Sequence, residues 1–115
     1  MKTEGIHAGE ILLSEANGTR SREEITLAAT TVVLPAGTLL GKVTATGHYA
    51  PYDPDVDPVD GTETAAAVLY APVGISVAAQ RSVGIVRDAE VKRALLTGLD
   101  AAGEADLLAL GIVAR

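Results

Sequence analysis

Apolar and polar positions alternate over residues 39–45, which is the period of a half-buried strand. One face of this predicted strand carries Leu39, Gly41, Val43 and Ala45. The preceding Pro35-Ala36-Gly37 suits a type II turn, because proline fixes φ and glycine allows a positive φ. The segment therefore organises the backbone and offers no reactive side chain.

Four further stretches have the composition of strands. They are rich in β-branched and other apolar residues and are bounded by proline, glycine or charged residues. We predict strands at residues 23–33, 64–70, 73–79 and 82–87, with a last short strand at residues 112–113.

The C-terminal third changes to a helical period. Asp88 is a candidate N-cap for a helix over residues 89–97, whose apolar stripe runs from Val91 to Leu95. Asp100 can cap a second helix that ends at Leu110, with Gly111 just beyond it. Many strands followed by two short helices predict an α+β fold, a small, mostly β domain with mixed or antiparallel pairing.

The first twenty residues have a different character. They are polar and rich in glycine, and their single apolar patch is Ile11-Leu12-Leu13. We predict an extended N-terminal arm over residues 1–20 and one folded domain over residues 21–115.

The chain has few large side chains. Of its 115 residues 48% are hydrophobic, but it has no Phe or Trp and only three Tyr. Each buried aromatic removes about 150–250 Å² from water, so a core of Ala, Val and Leu forgoes much of that stabilisation. We favour an oligomer, which buries more apolar surface between subunits; a monomer with a compact core is the alternative.

Charge and composition restrict the partners. The net charge of −6 and the scattered Lys and Arg residues disfavour nucleic-acid binding. The absence of cysteine excludes disulfides and thiolate metal sites. No apolar run approaches the roughly 20 residues of a membrane span. Residues 1–20 contain no apolar run longer than Ile11-Leu12-Leu13, so we expect no secretory signal there. We expect a soluble protein made in a cytoplasm.

An acidic loop over residues 53–61 is the nearest approach to a metal site. Its alternating aspartates resemble the first ligands of an EF-hand loop. Pro58 stands where that loop requires glycine, however, and Thr64 stands where it requires a bidentate Glu. An acidic, proline-stiffened surface loop is the preferred interpretation, with a weak calcium site as the alternative.

Other motifs are incomplete. Residues 37–42 lack the spacing and the Ser or Thr of a phosphate-binding loop, and residues 74–78 lack the final glycine of a nucleophile elbow. Tyr49 and Tyr52 form either a small binding face or a cover over strand ends. We predict no enzyme activity and no catalytic, cofactor-binding or metal-binding residues.

Several segments together resemble the lambda-type head decoration proteins of bacteriophages. The main one is LPAGTLLGKVTATGHYAPYDP at residues 34–54, and the order and spacing of others agree: residues 14–18 with 21–24, 61–70, 86–91 and 109–113. The resemblance covers roughly residues 11–115.

This resemblance implies a function and its partners. A family member is a homotrimer on the outside of an expanded phage capsid, bound to the major capsid protein and located on the virion after synthesis in the host bacterial cytoplasm. The arm would face the capsid, and its predicted contact residues are Ile11, Leu12, Leu13, Ser14 and Glu15. The alternative function is that of a small β-rich module that binds carbohydrate or calcium.

Overall fold

The computed structural model of the protein describes residues 8–15 and 20–115. In that part of the chain eight strands, a short 3₁₀ helix and one α-helix form a mostly β, α+β domain. The strands are β1 Leu12–Glu15, β2 Arg22–Leu27, β3 Leu39–Lys42, β4 Tyr49–Pro51, β5 Ala65–Leu69, β6 Gln80–Ile85, β7 Ala89–Val91 and β8 Ile112–Ala114. The 3₁₀ helix spans Arg93–Leu95, and α1 spans Ala101–Ala109.

Five strands close into a barrel in the order β2-β4-β3-β5-β6. Strands β2 and β6 pair antiparallel over six residues, from Arg22 opposite Ile85 to Leu27 opposite Gln80. A single parallel pairing of Leu27 with Tyr49 joins β2 to β4. The remaining contacts between barrel strands are antiparallel. Closure removes the free sheet edges that would otherwise be exposed to other chains.

A second, three-stranded sheet has the order β1-β7-β8. Strand β7 lies in its centre, antiparallel to β1 and parallel to β8. Helix α1 contacts both β5 of the barrel and β8 of this sheet. The helix therefore joins the two sheets.

Two apolar clusters hold these layers together. One lies within the barrel and consists of Ile25, Leu27, Leu34, Leu40, Ala67, Leu69, Val73 and Val86. The other lies between the barrel, the second sheet and α1, and consists of Ile11, Leu39, Tyr52, Ala65, Val68, Ile85, Ala89, Val91, Leu107, Ile112 and Ala114. The adjacent residues Leu39 and Leu40 belong to different clusters. Strand β3 is therefore buried on both faces, and the predicted half-buried strand is wrong in this respect.

The predicted helix over residues 89–97 is wrong. Residues Ala89–Val91 form β7, because β1 and β8 supply hydrogen bonds to both of its edges. Asp88 has a φ of +47° instead of an N-cap conformation, and only the 3₁₀ turn Arg93–Leu95 is helical there. The predicted strand at residues 73–79 is reduced to two isolated bridges, Thr30 with Ser76 and Leu34 with Val73.

The second predicted helix is confirmed. Asp100 is the N-cap of α1, and its carboxylate accepts a hydrogen bond from the Gly103 N–H at 2.6 Å. Gly111 follows the C-cap with a φ of +82°. The predicted turn before β3 is also present, since the Thr38 N–H donates to the Pro35 carbonyl and Gly37 has a φ of +91°.

Candidate functional site

The five residues predicted to contact a capsid lie on one short segment, but their side chains have different environments. Ile11 is completely buried in the cluster between the two sheets, and Leu12 packs against the same cluster. The side chain of Leu13 is 51% exposed. Ile11 thus belongs to the core of the domain, while Leu13 is available to a partner.

The backbone at the start of this segment is hydrogen-bonded to two other parts of the chain. The Lys92 N–H donates to the Ile11 carbonyl at 2.7 Å, and the Gly9 N–H donates to the Tyr70 carbonyl at 3.1 Å. Gly9 has a φ of +74°, and a Cβ there would lie 2.9 Å from the Tyr70 hydroxyl oxygen. Glycine therefore permits the close approach of this segment to the barrel.

Glu15 ties the end of β1 to the barrel. Its carboxylate accepts from Nε of Arg22 at 3.0 Å and from Nη2 at 2.6 Å, a bidentate pair. The guanidinium of Arg22 also lies 4.3 Å from the centroid of the Tyr70 ring. The hydrogen bonds that Arg22 donates to Glu15 raise the pKa of Arg22 above its ordinary value, against the opposing effect of burial.

Ser14 is joined to the central strand of the second sheet. Its hydroxyl donates to Oε1 of Glu90 at 2.9 Å, and Arg115 donates to the other carboxylate oxygen. The hydrogen bond from Ser14, followed by the bond and charge of Arg115, lowers the pKa of Glu90. Glu90 thus remains a carboxylate acceptor over a wider pH range.

Strand β1 is an edge strand of the second sheet, since in the described residues it pairs with β7 alone. An edge strand presents unpaired N–H and C=O groups that another chain can pair with. Residues 8–15 of the predicted arm pack on the domain, with Leu12–Glu15 in strand β1. Residues 1–7 and 16–19 of the predicted arm lie outside the described residues, and the division at residue 20 stays a prediction.

The acidic loop over residues 53–61 uses two of its carboxylates within the chain. Oδ1 of Asp53 accepts from the Asp55 N–H, and Oδ1 of Asp60 accepts from both the N–H and the hydroxyl of Thr62. These Thr62 bonds lower the pKa of Asp60. Within residues 8–15 and 20–115, no three carboxylate, imidazole or thiol groups gather around a common point where a metal could bind.

The two tyrosines of the alternative binding face are not equivalent. Tyr52 is buried between the sheets, and its hydroxyl donates to Oδ1 of Asp100 at 2.9 Å. Tyr49 is half-buried, with Nζ of Lys42 at 5.8 Å from its ring centroid. The buried Tyr52 therefore fits the interpretation as a cover over a strand end. Of the two tyrosines, only Tyr49 keeps a partly exposed ring.

The candidate site is thus an exposed leucine on an edge strand, the kind of surface that binds another protein chain. Comparison with known families places it in the class of structural phage capsid proteins. The family model for the bacteriophage lambda head decoration protein D matches residues 1–112 of the 115-residue chain, and the chain belongs to this family. Neither the search of curated proteins nor that of solved structures gave a match.

The family membership gives the protein a capsid decoration role and a location on the virion capsid. The family is one of structural proteins and not of enzymes. Within the described part of the chain, no helix has the length and apolar character needed to cross a membrane.

Proposed function

We propose that this protein binds the outer surface of the expanded phage head as a homotrimer at local three-folds and reinforces it against the pressure of packaged DNA. The observation that carries the proposal is the family match over residues 1–112. The acidic net charge of −6 is compatible with a position outside a DNA-filled shell.

The edge strand β1 provides the proposed contact with the major capsid protein. An extended capsid segment would pair with the open edge of β1, and Leu13 would enter an apolar pocket beside it. Ile11 would support this contact indirectly, because its buried side chain fixes the position of β1 on the domain. Ser14 and Glu15 orient the strand through Glu90 and Arg22.

Three such contacts in one trimer strengthen one another. Once one subunit is bound, the other two face their sites at a high effective concentration, so modest individual contacts add up to tight attachment. Because the trimer spans several capsid subunits, separating those subunits would require breaking several contacts together. The proposed action is mechanical and breaks no covalent bond.

Replacement of Leu13 tests this contact. We expect Leu13→Asp to reduce co-sedimentation with expanded heads that lack decoration protein by at least about tenfold, since a buried apolar anchor is worth more than about 1 kcal/mol. Val59→Asp is the matched control, because Val59 is also an exposed apolar residue, at 73%, and lies in the acidic loop. Both variants should melt at the temperature of the unaltered protein.

Equal head binding by the Leu13→Asp and Val59→Asp variants would remove β1 from the proposed contact. Ile11→Ala serves as a separate comparison, because it creates a cavity in the core and should lower the melting temperature. A loss of binding that occurs only together with a loss of stability would argue for a structural role of the segment alone.

A further inference from the structure

Two loop segments pair into an exposed ribbon beside the barrel. We call residues 30–34 together with residues 73–78 the apolar ribbon. Thr30 and Ser76 exchange backbone hydrogen bonds at 3.0 and 3.1 Å, and Leu34 and Val73 exchange them at 2.9 and 2.8 Å. The side chains of Leu34 and Val73 are buried in the barrel cluster and hold the ribbon on the domain.

Between and beyond these pairings the ribbon exposes large aliphatic side chains. Val77 is 99% exposed, and three others are more than half exposed: Val32, Val33 and Ile75. Together they present on the order of 300 Å² of apolar surface, as large as the largest patch on many monomers. Patches of this size are often functional, so the ribbon is a candidate interaction surface.

Matching side-chain hydrogen bonds hold the ribbon in shape. The Thr30 hydroxyl donates to the Val32 carbonyl at 2.9 Å and accepts from the Val32 N–H at 3.2 Å. The Ser76 hydroxyl makes the same two bonds with Ala78, at 2.7 and 3.3 Å. The exposed valines are therefore carried on a fixed backbone, which reduces the entropy lost when a partner binds.

The ribbon is also free of charge. No Asp, Glu, Lys or Arg lies between Glu24 and Lys42 or between Glu63 and Arg81, although 21% of the chain is charged. Two copies with a net charge of −6 repel each other over most of their surface. This repulsion is weakest when the uncharged ribbon faces the other copy.

A second apolar surface lies on the outer face of α1. Its exposed side chains are small or aliphatic: Ala101, Ala102, Ala105, Leu108 and Ala109. The acidic side chains of the helix are engaged with their own chain. Glu104 accepts two hydrogen bonds from Arg93 at 2.6 Å, and Asp106 accepts from the Ala65 N–H at 3.0 Å.

A ring of three identical subunits needs two different surfaces on each subunit, because the contact is head-to-tail. We infer that the apolar ribbon of one copy packs on the outer face of α1 of the next, and that this contact closes the homotrimer. The ribbon exposes large aliphatic side chains, whereas four of the five exposed residues on the helix face are alanine, so large side chains would meet small ones. A stable interface buries roughly 800 Å² per partner, so the inferred contact would also include polar surface around the two patches.

This inference rests on the homotrimer of the proposed function, and sedimentation of the purified protein tests it. We expect Val77→Asp and Leu108→Asp each to raise the concentration at which trimers form by at least about tenfold. Val59→Asp again is the control and should assemble as the unaltered protein does. Because Val77 and Leu108 are exposed, at 99% and 60%, all three variants should keep their melting temperature as monomers.

An equimolar mixture of the Val77→Asp and Leu108→Asp variants tests the direction of the contact. The intact ribbon of the Leu108→Asp chain can pack on the intact helix of the Val77→Asp chain, so we expect dimers and no trimers. A mixture that remains monomeric would overturn the head-to-tail contact. Trimers from either variant alone, at the concentration of the unaltered protein, would overturn it as well.

Head binding separates this inference from the function on which it rests. If the Val77→Asp variant stays a trimer but loses binding to heads, the ribbon meets the capsid and the inference fails while the decoration function stands. If the unaltered protein binds heads as a monomer, the homotrimer and this interface both fail. If no form binds heads, the proposed function fails independently of any interface.

Discussion

The guanidinium of Arg22 lies 4.3 Å from the centroid of the Tyr70 ring, at the junction between the barrel and the N-terminal segment. The same guanidinium binds Glu15 through two nitrogens. Because the Tyr70 carbonyl also accepts the Gly9 N–H, these residues hold both ends of residues 8–15 on the barrel.

Replacement of Arg22 by lysine should loosen strand β1. Lysine keeps the charge but has neither the planar fork that binds Glu15 nor the plane that stacks on Tyr70. We expect amide hydrogen exchange in β1 to accelerate about fivefold to tenfold, equivalent to about 1 kcal/mol for a partly exposed pair. Arg81→Lys is the control, since Arg81 and its partner Glu24 are both well exposed. Equal exchange rates in the two variants would contradict this role of Arg22.

Tyr52 should make stability fall at alkaline pH. Burial, and then the hydrogen bond to Asp100, raise the pKa of Tyr52 to about 12. The unfolded chain loses this proton near pH 10, whereas the folded chain keeps it, so the unfolding free energy decreases between about pH 10 and 12. We expect Tyr52→Phe to be about 1 kcal/mol less stable near neutral pH, where a hydrogen bond to a carboxylate is lost.

Urea unfolding at several pH values measures this effect. The difference in stability between the unaltered protein and the Tyr52→Phe variant should narrow above about pH 10, the ordinary tyrosine pKa. Ultraviolet titration should show one of the three tyrosines ionising last. A difference that stays constant with pH would contradict the raised pKa of Tyr52.

Ser14 and Glu90 should contribute a stability that is lost in acid. The pKa of Glu90 is lowered in the folded chain, first by the hydrogen bond from Ser14. Its contribution is therefore fully present above the unfolded value of about 4.3 and disappears as the pH falls through the lower folded pKa. Ser14→Ala should be less stable near neutral pH, with a difference that shrinks in acid. Nuclear magnetic resonance titration of the Glu90 carboxyl should show its pKa rise in the variant, and an unchanged value would refute the assignment.

Gly41 should resist any side chain. A Cβ at this position would lie 2.5 Å from the Cα of Thr62, which is backbone and cannot move aside as a side chain can. We expect Gly41→Ala to lose about 2–3 kcal/mol or to fail to fold, as overpacking does. Gly74→Ala is the matched control, because no heavy atom lies within 4 Å of its Cβ position. Thermal unfolding of both variants checks this, and similar melting temperatures would contradict the close approach.

Local signals made α1 predictable. Asp100 caps its first turn and Gly111 follows its last, and both features lie within the helix and its immediate flanks. The strands at β3, β5 and β6 were likewise visible as apolar or alternating runs. Their ends differ from the predictions by a few residues, because strand ends depend on the partner strand.

Residues 89–97 show where local signals fail. Their stripe of Val91 and Leu95 has helical spacing, but Val91 is paired with Leu12 of β1 and Ala114 of β8. These partners lie far away in the sequence, and their hydrogen bonds outweigh a weak local preference. The same pairing explains why the strand at Leu12–Glu15 was taken for part of an extended arm.

The exposure of the predicted contact residues could not be read from the sequence. The sequence pointed to residues 11–15 through their resemblance to the family, but it could not separate the buried Ile11 from the exposed Leu13. The two segments of the apolar ribbon lie in stretches without charged residues, and the sequence pattern predicted a strand in each. Exposure distinguishes a buried strand from a docking surface, and exposure depends on the whole fold.

By itself, the sequence determined the family, the mostly β character and the capped helix α1, because these depend on residue identity and on neighbours along the chain. The sequence also determined that few aromatic side chains are present. This composition suits a five-stranded barrel, because its narrow interior is filled by small residues such as Ala67 and Gly84. Only the tertiary structure decided that the barrel closes, that β7 is a central strand and that Ile11 is buried while Val77 is exposed. These features depend on hydrogen bonds and packing between residues distant in sequence, which form only when the whole chain has folded.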